Sequence, residues 1–266
     1  MEIAGKKVLL TGATGGLGRA MASTLAGAGG AMILSGRNEE ALQELADSLP
    51  GSGHSVLAAD LAGSGAAIEL AERAGAVDCL VANAALPSTG RLTELTDEQV
   101  SRMLHINLEA PILLSQALLP GMLERGSGKL VLIGSLAGKA ASPRSSIYNA
   151  TKFGIRGFAF ALKSDLVGTG VGITLVAPGF VREAGMFADS GREAPAGMGT
   201  TSPGEVAEAV AKAVRADKLE ITVAPRFQKT MAHMGLAVPT FSHRVQSGKT
   251  GQTAAEDLAR HQADKR

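Results

Sequence analysis

Seven short apolar runs, alternating with stretches of helical periodicity, restrict the fold of this sequence more than any other feature. The runs lie at residues 6–12 (KKVLLTG), 31–36 (AMILSG), 55–60 (SVLAAD), 77–84, 128–135, 172–179 and 219–225. They are continuously apolar, which is how strands covered on both faces read; a strand with one wet face alternates. Between them, helical patterns run over 16–28, 39–48, 68–74, 97–124, 147–168 and 203–216. The spacing predicts an α/β chain with a doubly wound, seven-stranded parallel sheet flanked by helices, right-handed crossovers, and ligands at the carboxyl ends of the strands.

At 266 residues, this is enough chain for one large domain with a substantial core. The 26 Lys/Arg against 25 Asp/Glu leave a formal charge of +1, so no strong field draws nucleic acid, and a small-molecule partner is expected. A lone cysteine, Cys79, and an N-terminus that runs straight into strand-like sequence predict a soluble, cytoplasmic protein. The longest apolar runs fall short of the roughly 20 residues that span a bilayer, so no transmembrane segment is expected. Cys79 sits in an apolar strand and reads as core, and His54, His105, His233, His243 and His261 lack metal-ligand spacing, so no metal is predicted.

The chain divides at residue 224. Residues 1–224 hold the dinucleotide-type domain; residues 225–266 carry seven Lys/Arg against three Asp/Glu, a net +4 that leaves −3 on the rest, and read as a basic, partly flexible extension. Its 225–246 stretch mixes Arg226, Lys229 and Arg244 with Met231, Met234, Leu236, Val238 and Phe241. That mixture suits packing on a partner subunit, lining a substrate entrance, or peripheral contact with a membrane surface.

After the first strand comes Thr11-Gly12-Ala13-Thr14-Gly15-Gly16-Leu17-Gly18, then an Ala/Met/Leu-rich helix. A turn at this place brings backbone N–H groups and a helix N-terminus against a pyrophosphate, and Gly12, Gly16 and Gly18 are the points where a Cβ would hold the ligand off. No Gly-Lys-Ser/Thr follows, which excludes the ATP/GTP-type phosphate loop. The second strand ends in Gly36-Arg37, where a carboxylate would otherwise accept from a ribose 2′-hydroxyl. Space plus a planar cation suits a 2′-phosphate, hence NADP(H) favoured over NAD(H); the alternative is a solvated arginine opening a helix. Asp60 and Leu61 end the third strand, where they meet an adenine edge or act as turn residues, and the same choice holds for Asn83 and Ala84 beside the adenosine ribose.

Ser135 ends the fifth strand, and thirteen residues on stands Tyr148, the only tyrosine, followed one turn later by Lys152. At i, i+4 the two side chains share a helix face. A free phenol has a pKa of about 10, and a nearby cation is expected to bring it into useful range for proton transfer while Ser135 holds the substrate oxygen.

Taken in order, Thr11-Gly-x-x-x-Gly-x-Gly18, Asn83-Ala84, Asn107, Ser135, Tyr148-x-x-x-Lys152 and Pro178-Gly179 resemble the short-chain dehydrogenase/reductases over about residues 5 to 225. The resemblance implies a single Rossmann-like domain, a nicotinamide dinucleotide, and a carbonyl or secondary-alcohol substrate. It also implies the triad Ser135, Tyr148 and Lys152 extended by Asn107 in a proton relay, and assembly as a homodimer or homotetramer. Lys152 would also bind the nicotinamide ribose, and Pro178-Gly179 would run beside the nicotinamide. Two departures stand out. Ala85 replaces the usual glycine after Asn83-Ala84. Glu183 stands where a threonine often meets the carboxamide, so backbone groups of Val181 are expected to serve. The Gly/Ala-rich loop 183–201, with Met186, Phe187 and Met198, reads as a cover over an apolar pocket. The competing reading keeps the fold and cofactor in a regulatory or scaffold protein, and the intact Asn107, Ser135, Tyr148 and Lys152 weigh against it.

Overall fold

The structure, a computed structural model, describes residues 1–87, 90–185, 187–188 and 198–248; Met186 of the expected cover loop lies outside them. Seven parallel strands form one sheet: β1 Lys7–Thr11, β2 Ala31–Gly36, β3 Ser55–Ala58, β4 Cys79–Ala82, β5 Gly128–Ile133, β6 Val171–Pro178 and β7 Glu220–Val223. Their spatial order is β3-β2-β1-β4-β5-β6-β7. The order reverses between β1 and β4, which opens a crevice at the carboxyl ends where the Gly-rich turn meets Asn83.

Successive strand residues feed opposite cores, which is why the runs are continuously apolar. Leu10 joins Met21, Leu25, Val176 and Val210 on one face, while its neighbour Leu9 joins Leu80, Leu114, Leu130 and Ile155 on the other. The edge strands β3 and β7 are the exceptions, half-buried along most of their length.

Helices α1 Gly16–Gly27, α2 Glu39–Ser48 and α3 Ala66–Ala74 follow β1, β2 and β3. The expected single helix over 97–124 is divided into α4 Asp97–Leu104 and α5 Ala110–Glu124 by a π-helical turn at His105–Glu109. Thr96 caps α4, accepting from Gln99 N–H while Gln99 returns a bond to the Thr96 N–H. The whole helical run of 28 residues is long and apolar enough to cross a membrane by length and composition only, a test that a core helix passes as well. Its Ala110, Leu114, Leu118 and Met122 are buried in the core cluster of Leu80 and Leu130, the pattern of a helix laid on a sheet.

Then come α6 Ser146–Asp165, α7 Pro203–Arg215, α8 Arg226–Ala237 and α9 Pro239–Gln246. A box between Ser202 and Glu205 caps α7. Cys79 is fully buried, and burial pushes its thiol up to about 12, as suits a core residue.

Candidate active site

Thr11 ends β1 with its hydroxyl turned toward β4, where it accepts from both Asn83 N–H and Ala84 N–H at 3.1 Å. The Asn83 amide answers by donating to Thr11 O (3.2 Å) and Gly12 O (3.1 Å). This tie draws the chain after β4 against Gly12, which takes φ +63° and has Ala84 Cα only 2.9 Å from where a Cβ would stand. Only glycine fits there. A Cβ on Gly18 would run into Gly12 O, so that glycine serves close packing of α1 on its own turn. On Gly16 it would meet Ala184, part of the segment after β6.

Gly15 is the N-cap of α1 and offers no side-chain cap, and the first turn carries no acidic residue. The first turn of α1 thus supplies no anion of its own to the helix's positive end, which fits a phosphate group. A Cβ on Gly36 would meet Thr14 Oγ1 at 3.5 Å and Leu42 at 3.6 Å, both ordinary contacts. The missing carboxylate is therefore not forced by packing. Arg37 is exposed, and Asn38, not Arg37, caps α2 by accepting from Ala41 N–H. Asp60 accepts from Ala62 N–H, a turn bond, and Leu61 beside it is buried.

The π turn exists around Asn107. Its side chain is buried, accepts from Leu86 N–H at 2.7 Å and donates to Leu86 O at 2.9 Å, so both bonds go to the backbone just past β4. The extra residue in the turn aims Asn107 inward, and Gly154 of α6 packs against Leu108 with 3.0 Å between that side chain and a Cβ position. Pro111 follows in the first turn of α5, where its missing N–H costs nothing.

Ser135 accepts from Ala137 N–H at 3.1 Å, which starts a single 3₁₀ turn at Leu136–Gly138. Asn149, the residue after Tyr148, holds the far side of that loop: it donates to Ala137 O (2.7 Å) and Ala140 O (3.3 Å) and accepts from Ser142 N–H. The loop is thereby pinned to α6, and the Ser135 hydroxyl stands beside the Tyr148 phenol, near enough to lower it. Lys152 lies one turn along, buried, its ammonium 5.6 Å from the Tyr148 ring centre and donating to Ile133 O at 2.9 Å.

The electrostatics differ from the expectation. Burial holds the Tyr148 phenol above its ordinary value, and the influence that opposes it is the neighbouring Ser135 hydroxyl, not the Lys152 cation. Burial likewise pulls Lys152 down to about 8.

Beyond β6, Thr201 N–H donates to Phe180 O and Arg182 N–H donates to Thr201 O, each at 2.9 Å. That parallel bridge turns the N–H and C=O of Val181 away from Thr201. Glu183 takes φ +68° and its carboxylate pairs with Arg182 at 3.0 Å.

Matched against protein families, residues 6–194 fit the model described as short chain dehydrogenase. The chain belongs to the short-chain dehydrogenase family. As a member, it is an oxidoreductase. This short-chain dehydrogenase is 34% identical over 254 residues to "Ketoacyl reductase HetN" of Nostoc sp., covering 91% of this chain and 88% of that protein. It is 30% identical to mouse "Dehydrogenase/reductase SDR family member 7B" over 259 residues, 91% of this chain and 80% of the other. Among solved structures, a 3-oxoacyl (acyl-carrier-protein) reductase from Agrobacterium tumefaciens C58 with NADP bound superposes with TM-score 0.75 at 29% identity, covering 83% of this chain and 93% of that one.

In this short-chain dehydrogenase the sequence reading missed Thr11 as the tie to β4, and Asn149 as the brace of the Ser135 loop. Thr11 carried a signal, since it opens the glycine motif. Asn149 carried none, because its partners are mostly backbone atoms.

Proposed function

We propose that this enzyme is an NADP(H)-dependent reductase or dehydrogenase of carbonyl/secondary-alcohol pairs, with Tyr148 passing the proton. The observation that carries the reading is the placing of the Ser135 hydroxyl beside the buried Tyr148 phenol at the carboxyl end of β5, with Lys152 one turn away. A bound nicotinamide supplies or accepts the hydride. In the reducing direction the Tyr148 hydroxyl gives its proton to the substrate oxygen while the Ser135 hydroxyl donates to that same oxygen and holds it in place. Lys152, held by Ile133 O, would meet the nicotinamide ribose, and Asn107 fixes the backbone past β4 around which a replacement proton arrives. Since two of Asn107's side-chain bonds are committed to Leu86, a relay through residue 107 uses its remaining N–H or its backbone.

The cofactor fits the residues present. Gly12, Thr14, Gly15, Gly16, Leu17 and Gly18 with the uncapped end of α1 would hold the pyrophosphate, and Arg37 the 2′-phosphate. Asp60, Leu61, Asn83 and Ala84 would flank the adenosine; Lys152, Pro178, Gly179 and Val181 would flank the nicotinamide end. NADP is supported by the room at Gly36 and by relatives whose structures hold NADP. The names of relatives, ketoacyl and 3-oxoacyl reductases, support a 3-oxoacyl-type carbonyl. Exposed Leu104, Leu123 and Phe153 on α4, α5 and α6 support a homo-oligomer that covers them. The test is direct: purified enzyme with NADPH and a panel of 3-oxoacyl thioesters and simple ketones, followed at the nicotinamide absorbance band. No consumption with any of them contradicts the reading.

A further inference from the structure

Helix α8 lies outside every motif named above, yet it touches both walls of the site. At one end Gly235 presses on the loop behind Ser135: a Cβ there would stand 2.6 Å from Ala140 Cβ and 3.0 Å from Lys139 O. That loop is further anchored by the buried Lys139, whose ammonium pairs with Glu220 at 2.6 Å and donates to Thr222 at 2.7 Å. At the other end Gln228 faces the turn after β6.

Gln228 is 5% exposed and makes three hydrogen bonds, all to backbone. Its carbonyl oxygen accepts from Phe180 N–H at 3.2 Å; its amide donates to Met198 O (3.2 Å) and Gly199 O (2.8 Å). A Cβ on Gly179 would collide with the Gln228 carbonyl oxygen and come within 2.9 Å of Ala224 Cβ, so the glycine after Pro178 is where Gln228 enters. One amide thus clasps two chain segments of opposite need, a lone N–H on one side and two carbonyls on the other. A buried amide with all these bonds made is a rigid brace.

We propose that Gln228 is a positioning residue that sets the Pro178–Gly179–Phe180 turn at the nicotinamide end of the site. α8 thereby works as a clamp between that turn and the Ser135 loop. The inference rests on the cofactor reading above. The physical argument is one of over-determination: Phe180 N–H would otherwise be an orphan donor, and the 198–199 carbonyls orphan acceptors, so without the amide the turn is free to find other partners and drift. The adenosine half of the dinucleotide, held at the Gly12–Gly18 turn, does not depend on it.

The experiment measures binding of NADP and of adenosine 2′,5′-bisphosphate by calorimetry, in wild type and Gln228→Met. Methionine keeps the volume and loses all three bonds. NADP should weaken about five- to tenfold, the loss of one or two neutral hydrogen bonds, with the bisphosphate changed less than about twofold. Equal NADP affinity in wild type and variant, or equal loss of both ligands, overturns the inference while leaving the cofactor reading intact. Wild type that binds neither ligand overturns that reading and the inference with it. If the methionine variant fails to fold, Gln228→Asn carries the same test, since its amide is one methylene too short to reach both segments.

Discussion

The Ser135 hydroxyl stands beside the Tyr148 phenol and is the one neighbour that lowers a phenol otherwise pushed up by burial. Ser135→Ala should therefore do two things. It should raise the phenol further, moving the limb of the pH–rate profile for alcohol oxidation to higher pH, and it should slow turnover by about tenfold or more through loss of the bond to substrate oxygen. A slower variant with an unmoved limb would separate Ser135 from the phenol's titration.

Asn107 should matter to stability as well as rate. Asn107→Ala strips both partners from Leu86, and each unpaired buried polar group costs about 1–3 kcal/mol, toward the low end here because Leu86 is partly exposed. For a chain of this size a melting temperature lower by roughly 2–4 °C per kcal/mol is expected. Calorimetry of the apoprotein would show it, and an unchanged melting curve would mean the π turn does not need its amide.

Lys152 trades stability for chemistry. Its folded-state value is about 8 against an ordinary 10.5, so between those two pH values the unfolded chain binds the extra proton and wild-type stability rises with pH. Relative to Lys152→Met, wild type should gain roughly 3 kcal/mol across that window and be the less stable of the two below it. Denaturant titrations of both at pH 7, 8.5 and 10 give the comparison, and parallel curves would deny that the buried ammonium is costly.

Cofactor choice turns on Gly36 and Arg37. A Cβ at 36 meets only ordinary contacts, so Gly36→Asp with Arg37→Ala should fold normally, weaken NADPH and favour NADH. Arg37→Ala alone should cost about tenfold in NADPH affinity with little change for NADH, the worth of one charge-assisted bond. Wild-type affinities equal for both dinucleotides, unchanged by the alanine, would make Arg37 a solvated residue at the start of α2.

The strands were legible because both faces of the central ones are buried, so each run is apolar throughout; Leu9 and Leu10 feed two different cores from adjacent positions. The break in the 97–124 helix was not, since one extra residue in a turn barely disturbs apolar periodicity. Ser135, Tyr148 and Lys152 could be named from type and spacing. Their electrostatics could not: proximity of Lys152 suggested a lowered phenol, whereas burial decides the direction and the ammonium is held by Ile133 O. Gln228 and Asn149 escaped notice for a shared reason. Each bonds to main-chain atoms, which leave no mark on residue identity, and Gln228's partners lie about 30 and 48 residues away.

The central claim is that Tyr148 carries the proton, and one substitution tests it most directly. Tyr148→Phe removes the hydroxyl and little volume. With NADPH and the best carbonyl substrate from the panel, turnover should fall by at least about 10²–10⁴-fold while NADPH affinity stays within a small factor of wild type. Turnover near the wild-type rate in a variant that binds NADPH normally would contradict the account.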